Sequence, residues 1–202
     1  MSQVIHPTKA QLIRTTVEIL ESKLPNEVAV DEILEKSGIS KGSLYHHFED
    51  LSELLEAAQV ARYAAWVDRS IETLISLIAS AKTREDLLVG LKKVTRLTQD
   101  PSYSKTRFAR ARAIVNAEHS PRFQRALAQE QERLTDALID LIEEARNKGL
   151  YATDFDSRAG AVLVQAYTLG KMVDDFVDHK MDPEEWYKLI DLVVDRVFLV
   201  QD

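Results

Sequence analysis

Between Glu35 and Glu49 the chain carries no acid; its polar side chains there are Lys36, Ser37, Ser40, Lys41, Ser43, Tyr45, His46 and His47. Cations, hydroxyls, a phenol and two imidazoles, set around the bare backbone of Gly42, suit contact with phosphate oxygens and base edges. They do not suit bond making. No phosphate-cradling glycine loop accompanies them, and paired carboxylates elsewhere fall on helical patterns where they face solvent, so neither catalytic residues nor an enzyme activity are expected. With no cysteine in 202 residues, disulfides and thiolate metal sites are excluded, and no metal or other cofactor is expected.

To present that surface, residues 28–55 must form a helix–turn–helix. In the first helix Ile33 and Leu34 face inward, and Asp31 and Glu32 sit in the first turn, where the helix dipole favours acids. Gly38 supplies a left-handed stop, and Ile39 folds back onto the helix it ends. Ser40 then caps a second helix that buries Leu44 and Phe48 at i,i+4 spacing. The outward residues are those named above. Asp50 and Glu53 predict a further capping box, opening a long helix that runs to about Ile78 with no flexible linker before it.

The run SGISKGSLYHHFEDLSELL, residues 37–55, resembles the DNA-binding signature of the TetR/AcrR family of transcriptional regulators. The likeness is sharp over about residues 8–55 and beyond that is one of length and helix layout. It implies an all-α homodimer. An N-terminal three-helix helix–turn–helix domain, residues 1–49, would bind DNA. A C-terminal helical bundle of about five to six helices, residues 50–202, would bind an effector and dimerise through its last two long helices. By the same resemblance the DNA contacts are Ser40, Lys41, Gly42, Ser43, Tyr45, His46 and His47. Lys41 and Gly42 would approach base edges, with Ser43 and His46 as further candidates there, while Tyr45 and His47 would hold phosphates. The implied function is a ligand-responsive regulator, a repressor on a near-palindromic double-stranded operator, released by a small molecule of unspecified identity.

The alternative is a helical small-molecule-binding protein without sequence-specific DNA binding. Ala29 and Val30 stand where many relatives carry a capping hydroxyl, Leu51 where many carry Lys, and Leu24 where the family has Gly. A net charge of −7 points the same way, and residues 1–50 hold five Lys/Arg against eight Asp/Glu. Binding responds to local potential, however, and the acid-free stretch around Lys41 keeps the recognition face workable. A hydrophobic content of 45% is ordinary for a soluble globular chain, and no apolar run reaches the roughly 18 residues of a membrane span. A cytoplasmic protein with no membrane partner is expected.

Helix starts elsewhere are written plainly. Thr8 and Gln11 predict a capping box for a helix over 8–23, and Asp100-Pro101, Ser120-Pro121 and Asp182-Pro183 each place a cap before a proline. Helices are expected near 84–98, 101–117, 121–147, 156–179 and 183–200. The last two are apolar on more than one side, so they are either deeply buried core helices or, the favoured reading, a four-helix dimer interface through Leu163, Gly170, Val173, Trp186, Ile190, Val194 and Val197. An effector pocket is expected between 84–147 and 156–179, with Tyr103, Phe108, Phe123 and Tyr167 as candidate walls. Residues 92–112 carry seven Lys/Arg against Asp100 alone, which makes Arg107 or Arg110 the candidate anion anchor. Asp174, Asp175, Asp178 and His179 read as a solvated acidic helix end, with a cation site left open as the sharper reading.

Overall fold

The computed structural model describes residues 5–199, and apart from one isolated bridge between Tyr151 and Leu199 its regular structure is helical. α1 (Pro7–Ile19), α2 (Val30–Ser37) and α3 (Lys41–His47) precede the long α4 (Leu51–Ser80). The cap of α1 differs from expectation. His6 is the N-cap, its Nδ1 accepting the Thr8 N–H at 3.3 Å, while Gln11 Nε2 donates to the Ser37 carbonyl at 2.7 Å. That carbonyl lies in the last turn of α2 and lacks an intrahelical partner, so the tertiary bond outcompetes the local box. α1 also stops at Ile19 rather than Lys23, because Pro25 holds Leu24 extended (φ −78°, ψ 154°) and a short 3-10 turn follows.

The caps of α3 and α4 form as the residues dictate. Asp50 Oδ1 accepts the Glu53 N–H at 2.8 Å and Glu53 Oε2 accepts the Glu49 N–H at 2.7 Å. From there α4 runs for 30 residues, roughly 45 Å. Buried apolar side chains fall into two clusters, and α4 feeds both. Leu54 and Ala58 join Leu12, Ile19, Ile33, Leu44 and Phe48; Tyr63, Val67, Leu77 and Ile78 join the larger cluster.

That larger cluster is enclosed by α5 (Arg84–Gln99), α6 (Ser104–Ala117), α7 (Pro121–Asn147), α8 (Ser157–Gly170), α9 (Met172–Asp175) and α10 (Pro183–Val193), followed by a π turn over Val194–Phe198. Two boundaries move. Pro101–Tyr103 opens α6 as a separate 3-10 turn. The helix expected over 156–179 breaks after Gly170 and ends by Asp175. Val200, expected to end the last helix, lies outside the described residues.

The break has a use. Asp175 is not solvated, as the acidic cluster suggested, but 7% exposed, where it accepts two bonds from Arg107: Nε at 2.5 Å and Nη2 at 2.9 Å. Arg107 also donates to the carbonyls of Thr98 and Asp100, and Lys171 turns inward beside it, 2.7 Å from Asp174 and 3.6 Å from Asp175. Among the described residues no group of three or more His, Asp or Glu is placed to hold a metal ion. Asp174 and Asp175 neutralise the buried cations Lys171 and Arg107. Removing one partner leaves the other charged and unpaired, so Asp175→Ala should lower stability by about 3–5 kcal/mol in urea unfolding. An unchanged midpoint would remove the pair from the forces holding α6 to α9.

Candidate nucleic-acid interface and effector cleft

α3 is held from below and bare above. Leu44 and Phe48 are buried in the smaller cluster, and Lys9 of α1 lies 4.9 Å over the Phe48 ring, a cation–π contact. Gly38, at φ 69°, makes the left-handed turn that lets α3 leave α2 at once. Ser40 Oγ accepts the Ser43 N–H at 3.2 Å and donates to Ser43 Oγ at 3.1 Å. Residues 38–42 also spell Gly-x-Ser-x-Gly, the letters of a hydrolase nucleophile elbow. That elbow needs a strand running into a helix, whereas Ser40 joins two helices and its hydroxyl is engaged as a cap.

The remaining residues of the helix form one accessible surface. Ser40, Lys41, Gly42, Tyr45 and His46 are exposed, and Ser43 and His47 are half-buried. A Cβ built on Gly42 meets nothing within 4 Å, and its φ is not positive. Nothing inside the protein requires glycine there. His47 packs 4.8 Å from His6 and 5.1 Å from His46. Burial, then the neighbouring His6, His46 and Lys9, pull its pKa below the ordinary histidine value. At neutral pH it is therefore uncharged. Ala29 heads α2 with no side-chain cap.

The expected effector residues scatter. Arg107 is engaged by Asp175, Phe123 is buried in the core, and Tyr167 packs against the core, where burial raises its pKa. Tyr103 is exposed in the 3-10 turn before α6. Only Phe108 and Arg110 come together, and not between 84–147 and 156–179. They line a cleft of about 840 Å3 bounded by the end of α1, the 21–25 loop, α4 and α6. Tyr63 and Trp66, one helical turn apart on α4, were missed as its wall; their i,i+3 spacing was legible, but their pairing with α6 was not.

The expected dimer residues also divide. Ile190 and Val194 are buried in their own subunit and Trp186 packs against its core, its Nε1 donating to Gln99 Oε1 at 3.1 Å. They hold α10 and the π turn to the body. Leu163, Gly170, Val173 and Val197 are exposed, as are Val162, Phe176, Leu189 and Leu192 nearby.

Residues 12–58 match the sequence model of the bacterial regulatory proteins of the tetR family. No curated protein matches the chain. Among solved structures it is similar to a candidate tetR-family regulator from Mesorhizobium loti MAFF303099, at 22% identity and a TM-score of 0.71, with 96% of this chain and 97% of that one covered. A TetR transcriptional regulator from Chloroflexus aurantiacus J-10-fl is 18% identical, with a TM-score of 0.68 and coverage of 96% and 97%. A candidate transcriptional regulator from Saccharomonospora viridis, solved in complex with choline, is 12% identical, with a TM-score of 0.70 and coverage of 96% and 98%. At these identities the structures establish the fold. No helix among the described residues is long and apolar enough to cross a membrane. Residues 12–58 thus carry the sequence pattern of the tetR family of bacterial regulatory proteins, and over its described length the chain has the fold of solved regulators of that family.

Proposed function

We propose that the protein is a homodimeric repressor that places α3 in the major groove of a near-palindromic operator and lets go when a small molecule binds. Residues 1–49 form the DNA-binding unit and residues 50–202 the effector-binding and dimerising unit. The observation that carries this reading is Gly42. Glycine inside a helix costs about 0.5–1 kcal/mol relative to alanine, and neither backbone angle nor neighbouring atom repays that cost within the protein. An external surface approaching the backbone does. Lys41 beside it offers a cation to base acceptors, and Tyr45, 44% exposed, offers its hydroxyl to a phosphate.

The second copy is inferred from the outer faces of α8 to α10. Phe176 is 70% exposed and Val173 67% exposed, with Leu163, Leu189 and Val197 also open to solvent. Apolar side chains gathered on the last helices favour association, and a two-fold pairing of the same face on each subunit closes on itself. Two α3 helices would then meet successive major grooves, about 34–36 Å apart. A small-molecule effector fits the choline-bound neighbour.

Selection of bound sequences from random DNA tests the central claim: an inverted repeat should emerge, and failure to enrich any sequence at moderate salt would leave the DNA-free alternative. On the selected site Gly42→Ala should weaken binding while raising the stability of the free protein by up to about 1 kcal/mol. If affinity is unchanged, no surface approaches that position. For the dimer, Val173→Glu combined with Leu189→Glu should shift sedimentation towards monomer and reduce operator affinity together, and a monomeric unmodified protein would end this interface. Charge at His47 gives a pH test. Its folded-state pKa is depressed, so its contribution to fold stability is present above its unfolded value and declines as pH falls through it. DNA phosphate favours the imidazolium instead, so operator affinity should rise as pH falls from about 7.5 to about 6. His47→Gln should flatten that rise, and an unaltered slope would take His47 out of the contact.

A further inference from the structure

Arg110 is 6% exposed and forms no ion pair with any described residue. Its guanidinium lies 3.4 Å from the centroid of the Trp66 ring and 5.6 Å from that of Tyr63, and its Nε has no hydrogen-bond partner. The contrast with Arg107, three residues earlier, is direct. Arg107 is equally deep but has a bidentate carboxylate. Burial lowers the Arg110 pKa, and the Tyr63 phenol is what offsets it. A buried cation without an anion is unfavourable unless something arrives to meet it.

The cleft beside it concentrates the same sign of charge. Its walls carry Lys23, Arg62, Arg69, Lys105, Arg110 and Arg112 against one acid, Glu21, in a chain whose net charge is −7. Lys23 is engaged by Glu32 at 2.8 Å, and Arg62 Nη1 donates to the Leu20 carbonyl at 2.9 Å. Between the cations lie Val17, Leu20, Leu24, Ala61, Ala65 and Phe108. The volume suits one small organic molecule.

We propose that this cleft binds an organic carboxylate, its two oxygens on the edge of the Arg110 guanidinium and its hydrocarbon part on the apolar wall. Trp66 covers one face of the guanidinium and leaves its edge for bidentate pairing, the geometry a planar carboxylate matches. The site sits where α6 meets the end of α1, and Arg62 ties that end to α4. A ligand pulled against Arg110 therefore changes how the α1–α3 unit leans on the body. This coupling rests on the effector control proposed above; the binding itself does not.

The test is calorimetric titration of the full chain with octanoate and benzoate, their neutral amides and inorganic phosphate, alongside thermal melts and operator titrations. Octanoate or benzoate should bind saturably while the amides do not, and Arg110→Met should reduce carboxylate affinity about tenfold or more. Without ligand, Arg110→Met should raise the melting temperature by about 2–4 °C, since it removes an unpaired buried charge at similar volume. Carboxylate binding that survives Arg110→Met, equal binding of the amides, equal binding of phosphate, or no binding by either carboxylate each overturns the assignment. A fall in melting temperature overturns it too, marking Arg110 as a structural clamp on Trp66. Carboxylate binding with unchanged operator affinity would leave the site standing and remove effector control through it. Operator release by a neutral or cationic compound, with the carboxylates inert, would do the reverse.

Discussion

α4 belongs to both apolar clusters, and this sharing constrains everything else in the molecule. Leu54 and Ala58 are packed with the side chains beneath α3, and Tyr63 and Val67, a turn or two later, are packed with those of the body. No glycine or proline interrupts its 30 residues. A helix hydrogen-bonded throughout resists bending where no breaker or inserted side chain loosens it. The outer surface of α3 is therefore tied to the body through α4, and the Arg62–Leu20 bond and the cleft walls around it lie at that junction.

Three arginines on α6 show how differently one residue type is spent along a single helix. Arg107 points to α9 and fastens it through Asp175, which explains why the chain breaks after Gly170 and brings acids inward. Arg110, about one turn later, faces α4 and meets aromatic faces rather than a carboxylate. Arg112 lies exposed on the cleft rim; burial lowers the pKa of Arg62, and the charge of Arg112 adds to that lowering. The basic run over 92–112 is thus neither one surface nor one site. Arg96 adds a fourth use, pairing with Asp191 at 3.1 Å to hold α10 against α5.

What could be read from the chain was whatever local chemistry decides. Gly38, Ser40, Asp50, Asp156 and the capped Pro121 and Pro183 fixed helix ends because capping involves residues two to four apart. The identity of the outward residues of α3 followed from Leu44 and Phe48 alone. Where distant partners compete with local ones, the reading went astray. Gln11 found Ser37 rather than Thr8, and Asp175 found Arg107 across 68 residues. The apolar stripe of the last helices was visible, but Ile190 and Val194 face their own core while Val197 faces outward. A two-sided apolar helix reveals that both sides are covered, and only packing says which side each neighbour takes.

The six glycines illustrate a distinction that is useful beyond this chain. Gly38 and Gly149 have φ near +70°, so their backbone conformation accounts for them. A Cβ at Gly90 or Gly160 would collide with Leu77 or Phe155, so packing accounts for those. Gly42 and Gly170 meet neither condition: the backbone is ordinary and the space around them is open. They also stand on the two faces assigned above to external partners, α3 for DNA and the end of α8 for a second copy. A glycine that its own fold does not need is explained by a neighbour the single chain does not contain, because only a close approach of another backbone or surface makes a missing methyl group an advantage. On that argument the two unexplained glycines support the two proposed interfaces independently of charge and of exposed apolar area.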